Sequence, residues 1–221
     1  SGSYDVLESL GVPLDIEAQQ VGRLVLEVGL GFMFAPTHHS AMRYAVGPRR
    51  ELGLRTLFNL LGPLTNPAGV RRQLLGVFTQ DYCEPLAQVL NTLGSVHAMV
   101  VHSKDGLDEL SIAAPSLVAE LRDGKVEQYH LDPADYDLDV DDLNGISVDS
   151  ATASAALIRA ALTPGSADLL TYDVDKARKI VTLNAGATIY VAGLAASIGE
   201  GVEIARDVIA SGKAAAKIDD F

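Results

Sequence analysis

From Glu51 to Leu61 the apolar residues Leu54, Leu57, Phe58 and Leu61 recur at i, i+3, i+4 and i+7, the period of a helix with one buried face. Gly62 and Pro63 follow at once and stop it. A short apolar run of strand length, Gln73 to Phe78, comes next, and then Asp81 and Glu84 stand at the spacing of a capping box. Behind them Leu86, Val89, Leu90 and Leu93 mark a second amphipathic helix. The run Val96 to His102 completes a strand, helix, strand unit, the pattern from which parallel sheets are built. Leu117 to Leu131 reads as a hairpin turning at Asp123-Gly124, with an architectural role. From Ser150 onward the chain is Ala-rich, with helices predicted near Ser150 to Leu162, Lys176 to Leu194 and Gly201 to Ala210. The expectation is an α/β fold, a largely parallel sheet with helices packed around it, residues 1–221 forming one domain.

Composition narrows the classes of function. The chain has 221 residues, 48% of them hydrophobic, enough to bury one sizeable core. A formal charge of −12 repels a phosphate backbone, so nucleic acid is not an expected partner. The single cysteine, Cys83, excludes an internal disulfide and any cysteine-only metal site. No run reaches the roughly 18 apolar residues that span a bilayer, and SGSYDVLESLG has neither a basic nor a long apolar stretch. A cytoplasmic protein without membrane contact is expected.

Several constellations could carry chemistry. Asp108 and Glu109, in KDGLDEL, follow the predicted strand Val96 to His102 and so lie at the carboxyl end of a strand, where open α/β sheets bind ligands. Adjacent carboxylates suit Mg2+ shared with substrate phosphates; an ordinary exposed acidic loop is the alternative. Arg49 and Arg50 precede the Leu54 to Leu61 helix, where an anion could dock, or where they form a solvated cluster with Glu51. LLGPLTNPA (Leu60 to Ala68) is dense in turn residues and implies a rigid loop. His38 and His39 are adjacent and cannot point both rings one way, so one is expected to be buried or to line a pocket and the other to face solvent. His97, His102 and His130 read as strand residues. Cys83, at a helix start, invites a lowered thiol pKa but lacks a nearby histidine in sequence. The acidic run Asp132 to Asp142 fails as an EF-hand, since Asp142 stands where Gly is needed and Val148 where Glu is needed; a solvated loop is expected.

Taken together, SGSYDVLESLGV, GFMFAPTHHSAMRYAVGPRRELGLRTLFNLLGPLTNPA, LLGVF, VVHSKDGLDELS and TLNAGATIYVAG, in this order, resemble the anthranilate phosphoribosyltransferases of tryptophan biosynthesis. The resemblance runs from Ser1 to about Gly212. It implies a nucleoside-phosphorylase-like phosphoribosyltransferase large domain and the substrates anthranilate and phosphoribosyl pyrophosphate, with Mg2+ as cofactor. By position it implies that Ser3 contacts phosphoribosyl pyrophosphate, Arg49 binds anthranilate, His39 and Met42 line the aromatic-substrate tunnel, and Asp108 and Glu109 hold Mg2+. No general acid or base is implied. Ser40 stands where the family usually has Pro, and Ser103 where it usually has Gly. The family's GTGGD-type loop and KHGNR segment lie upstream of the SGS match, as does the small helical domain that makes the family's homodimer interface. A chain beginning at Ser1 is expected to lack the diphosphate cradle and that interface. A pyrimidine nucleoside phosphorylase shares the architecture and the SGS-like opening, but not the LGPLTNPA and DGLDE strings; a non-catalytic, nucleic-acid-binding relative of the transferases is the other alternative, and the charge of −12 argues against the basic groove it would need.

Overall fold

The computed structural model describes residues 2–34, 62–166 and 171–221. Along them run α1 (Ser3–Ser9), α2 (Ala18–Glu27), β1 (Arg72–Gly76), α3 (Cys83–Thr92), β2 (His97–Ser103), β3 (Ser116–Arg122), β4 (Lys125–Leu131), α4 (Ala151–Leu162), α5 (Val174–Ala192), α6 (Ile198–Ala210) and α7 (Lys213–Asp220). The chain divides into two compact units, one of Ser1–Gly69, Val148–Arg159 and Ala215–Phe221, the other of Val70–Ser147 and Ala160–Ala214. The helix predicted over Glu51 to Leu61 lies outside the described residues.

In the second unit the strands pair in sequence order. β1 and β2 are parallel, with Leu74 opposite Met99; β2 to β3 and β3 to β4 are antiparallel. The α/β class holds, but the described sheet is mixed rather than largely parallel, because the predicted hairpin adds its two strands beside β2 and reverses direction twice. Its turn takes positive φ at both central residues, 51° at Asp123 and 76° at Gly124, which matches the right-handed twist of a tight hairpin.

β2 is buried on both faces, so its apolar residues run without the alternation of a half-exposed strand. Met99, Val101 and Val118 pack with Leu183, Ala187 and Val191 of α5 and Ile198 and Val202 of α6. The alternate residues Ala98, Val100, Ala119 and Leu121 are also buried, and α3 packs on β2, β3 and β4. The buried stripe of α3 is Cys83, Leu86, Ala87 and Leu90, again i, i+3, i+4, i+7, whereas Val89 and Leu93 are exposed. The predicted stripe shares Leu86 and Leu90 with the observed one but starts three residues late, at Leu86 instead of Cys83. The capping box is not formed either: a 3-10 turn, Gln80–Tyr82, leads into α3, whose N-cap Tyr82 makes no side-chain cap. Glu84 instead accepts a 2.7 Å hydrogen bond from Gln128 Nε2.

α5 is capped conventionally. Asp173 accepts from the Lys176 N–H at 2.9 Å, and Gly193, at φ 81°, ends the helix in the left-handed conformation. α6 begins at Ser197, whose hydroxyl accepts from the Glu200 N–H. The two helices meet through glycines: a Cβ on Gly201 would lie 2.2 Å from the Gly186 carbonyl oxygen, and one on Gly186 would lie 2.6 Å from Val202 Cγ2.

Where β2 begins, Glu120 collects a set of polar contacts. Its carboxylate accepts from His97 Nε2 at 2.8 Å, Tyr190 Oη at 2.7 Å and Tyr129 Oη at 2.8 Å. Arg122 donates to the Tyr190 hydroxyl at 2.9 Å, and the His97 ring meets Tyr190 edge-on. Burial first, then the Glu120 charge, pushes the Tyr129 hydroxyl well above the usual tyrosine range.

The first unit buries Val6, Val12, Leu14 and Val21 around α1 and α2, and stacks Tyr4 on Phe34 with ring centroids 4.3 Å apart. A 2.6 Å ion pair, Arg159 to Asp219, links α4 to α7, a helix the sequence pattern did not announce. No helix among the described residues is long and apolar enough to cross a membrane.

Candidate functional site

β2 ends at Ser103 and the chain folds into a tight loop before β3. Ser103 N–H donates to the Leu107 carbonyl and Gly106 N–H to that of Ser103, both at 2.9 Å; Gly106 sits at φ 95°. Asp105 shapes the interior of the loop, accepting from Leu107 N–H at 3.3 Å and from the Ser111 hydroxyl. Leu110 and Ile112 are fully buried and anchor the far side. Between these fixed points stand Asp108 and Glu109, which keep exposed surface. Ser103 Oγ is buried with no partner among the described residues.

Both carboxylates line a cavity of about 520 Å³, together with Leu74 and Gly76 of β1, Val101 of β2 and Ile180, Asn184 and Thr188 of α5. The site therefore lies at the carboxyl ends of the parallel pair, as the spacing after Val96 to His102 predicted. Two backbone approaches define it. A Cβ on Gly76 would fall 1.5 Å from the Asp108 carbonyl oxygen, so only glycine lets the loop settle against β1. On the other side Asn184 brackets Leu110, its Oδ1 accepting from Leu110 N–H at 3.1 Å and its Nδ2 donating to the Leu110 carbonyl at 2.9 Å.

Partial burial within the cavity, then the adjacent Asp108 charge, raises the Glu109 carboxyl above its ordinary range. Neither carboxylate has a hydrogen-bond or ion-pair partner among the described residues. No group of three or more His, Cys, Asp or Glu able to hold a metal occurs there either. This donor set fits Mg2+: two hard oxygen ligands facing open space, whose mutual repulsion a cation relieves, with the other coordination positions left to water and phosphate oxygens.

The remaining sequence candidates separate. Ser3 is exposed in α1, in the other compact unit. Arg49, Arg50, His38, His39, Ser40 and Met42 lie outside the described residues. His97, His102 and His130 are strand residues as expected. Cys83 is fully buried, and burial first, then the Asp81 charge, pushes its thiol up to about 11, the opposite of an activated nucleophile. In the acidic run, Asp132 accepts from Ala134 N–H and Asp142 from Lys176 Nζ at 2.7 Å. Sequence reading missed Asn184 and Gly76; the only signals were a polar residue within the mostly apolar stretch from Ile180 to Ala192 and a glycine in a strand.

Residues 1–215, which hold this four-stranded sheet and the carboxylate pair at its strand ends, match the model "Glycosyl transferase family, a/b domain"; the chain belongs to that family. Within it the chain is 55% identical over 221 residues to the anthranilate phosphoribosyltransferase of Cellvibrio japonicus, covering 100% of this chain and 63% of that protein. The crystal structure of the anthranilate phosphoribosyltransferase from Thermus thermophilus superposes with a TM-score of 0.87 at 41% identity, over 99% of this chain and 62% of that one. The Saccharomyces cerevisiae enzyme, solved in complex with PRPP and Mg, gives a TM-score of 0.83 over 100% of this chain and 61% of that one; at 23% identity this is a likeness of fold alone. The chain thus spans less than two thirds of the length of these relatives.

Proposed function

We propose that this chain is part of an enzyme that transfers the phosphoribosyl group of phosphoribosyl pyrophosphate to the amine of anthranilate, giving phosphoribosyl-anthranilate and diphosphate in tryptophan biosynthesis. The observation that carries the reading is the 55% identity, over every residue of the chain, to a protein of that activity. The carboxylate pair at the strand ends supports it.

In this reading Asp108 and Glu109 hold Mg2+, and Ser3 contacts phosphoribosyl pyrophosphate. When bound, the cation supplies neutralisation of the charge that builds on the departing diphosphate. Arg49 grips the anthranilate carboxylate and orients the amine toward the anomeric carbon, with His39 and Met42 lining its approach. The arylamine is uncharged near neutral pH, so it needs orientation rather than deprotonation, and no general base is assigned. A cytoplasmic homodimer is the setting this reading assigns.

The test follows the loss of anthranilate fluorescence on adding phosphoribosyl pyrophosphate and Mg2+, using these 221 residues joined to the family's amino-terminal segment. Arg49→Ala is expected mainly to raise the anthranilate KM, and Asp108→Asn with Glu109→Gln mainly to lower kcat. Consumption of thymidine with phosphate, in place of anthranilate, would replace this reading with a pyrimidine nucleoside phosphorylase.

A further inference from the structure

We infer that Asn184 is a positioning residue that sets the Asp108–Glu109 pair for a divalent cation, by tying the loop that carries the pair to the middle of α5. The inference rests on the proposed function only in taking the pair as a cation site.

Asparagine is a poor helix former, and Asn184 sits deep within α5, a helix of 19 residues. Its side chain spends its capacity on backbone. Oδ1 takes the Leu110 N–H at 3.1 Å, while Nδ2 gives to the Leu110 carbonyl at 2.9 Å and to the Ile180 carbonyl one turn back at 3.0 Å. The paired bonds to Leu110 reproduce what a neighbouring strand would offer, across 74 residues of sequence. Asn184 lines the carboxylate cavity, yet with these contacts made it has little left for a ligand. Its effect reaches the cavity through the residue that follows Glu109.

Gly76 closes the loop from the opposite side, where the Asp108 carbonyl oxygen occupies the space a Cβ would need. With Leu110 fully buried, the backbone of Asp108 and Glu109 is held against β1 on one side and α5 on the other. The two carboxylates find no partner of their own among the described residues, so backbone fixation is what decides where their oxygens stand. A loop free to relax would turn the like charges apart; Asn184 opposes that.

The experiment measures amide exchange at Leu110 by NMR and Mn2+ binding by EPR, on the 221-residue chain, for wild type, Asn184→Leu and Asn184→Ala. Asn184→Leu keeps the branched shape and removes the three bonds; Asn184→Ala is the second variant in case the bulkier Leu does not fold. Wild type is expected to protect Leu110, and each folded variant to lose that protection and bind Mn2+ roughly 10–100-fold more weakly. In the protein extended by the family's amino-terminal segment, the KM for Mg2+ should rise while that for anthranilate stays within about twofold. A Leu110 amide that exchanges freely in wild type overturns the inference whatever the variants do. So does Mn2+ affinity unchanged in a folded variant while wild type binds. Failure of wild type to bind Mn2+ removes the cation reading of the pair itself, a separate outcome.

Discussion

Gly201→Ala separates what helix propensity says from what packing says. In the interior of a helix such as α6, replacing glycine by alanine ordinarily stabilises by about 1 kcal/mol, because the unfolded chain loses freedom. Here the added Cβ would lie 2.2 Å from the Gly186 carbonyl oxygen and 3.0 Å from its carbon, both backbone atoms that no rotamer change can clear. α5 and α6 must then move apart, opening contacts around Val202, which is 1% exposed. Overpacking of this kind costs about 1–3 kcal/mol, and a backbone obstacle places it at the upper end. The net result is a loss of about 1–2 kcal/mol, or a Tm lower by roughly 3–6 °C in a chain of this length. Gly22→Ala in α2 is the control, since a Cβ there meets nothing within 4 Å and only the propensity gain applies. Scanning calorimetry on both variants decides the matter. If Gly201→Ala raises Tm as Gly22→Ala does, the close glycine contact between α5 and α6 is wrong.

Further outcomes follow from charge and burial. Glu120→Ala strands the donors of His97, Tyr129 and Tyr190 in a mostly buried site and should cost about 3–5 kcal/mol in urea unfolding, against about 1.5–3 for Tyr129→Phe, which removes a single bond; equal losses would refute the shared role of Glu120. The raised Tyr129 pKa means the folded state resists losing that proton, so stability should fall as pH climbs past the unfolded value of about 10, and Tyr129→Phe should flatten that decline. At the carboxylate pair, Asp108→Asn should lower the Glu109 pKa followed by NMR while leaving it above the ordinary range, since burial is the larger cause; a Glu109 that titrates normally in wild type would refute the desolvated site. Because the folded pKa is raised, ionised Glu109 opposes folding at neutral pH. Glu109→Gln should therefore stabilise the cation-free chain there, with the gain gone below the unfolded value of about 4.3.

Much of what depends on near neighbours was legible in the sequence. The hairpin was legible because Asp123-Gly124 can take two positive φ angles in succession, and β2 because its four consecutive apolar residues, Ala98 to Val101, have to be covered on both faces. The site loop was legible through its position after that strand. Local signals failed where a distant partner set the outcome. Asp81 and Glu84 have capping-box spacing, yet Gln128 on β4 takes the Glu84 carboxylate. The pull of Asn184 on Leu110 and the clearance Gly76 gives Asp108 join segments that no window along the chain contains together. α7 escaped notice because its stretch, KAAAKIDD, is short and buries no residue.

The two ends of β2 treat acidic side chains in opposite ways, and the contrast bears on function. At the His97 end, Glu120 receives donors from a histidine and two tyrosines, and the Arg122 guanidinium stands on Tyr190; the charge is consumed within the fold. At the Ser103 end, Asp108 and Glu109 receive no donor among the described residues and are pressed against each other's field. Holding them there takes residues that each work against local structure: a glycine in β1, which weakens a strand, and an asparagine within α5, which weakens a helix. A fold that needed only stability would relax both, and could satisfy the carboxylates as it satisfies Glu120. Local rules broken in concert around unpaired like charges are what the cation role proposed above for Asp108 and Glu109 would require.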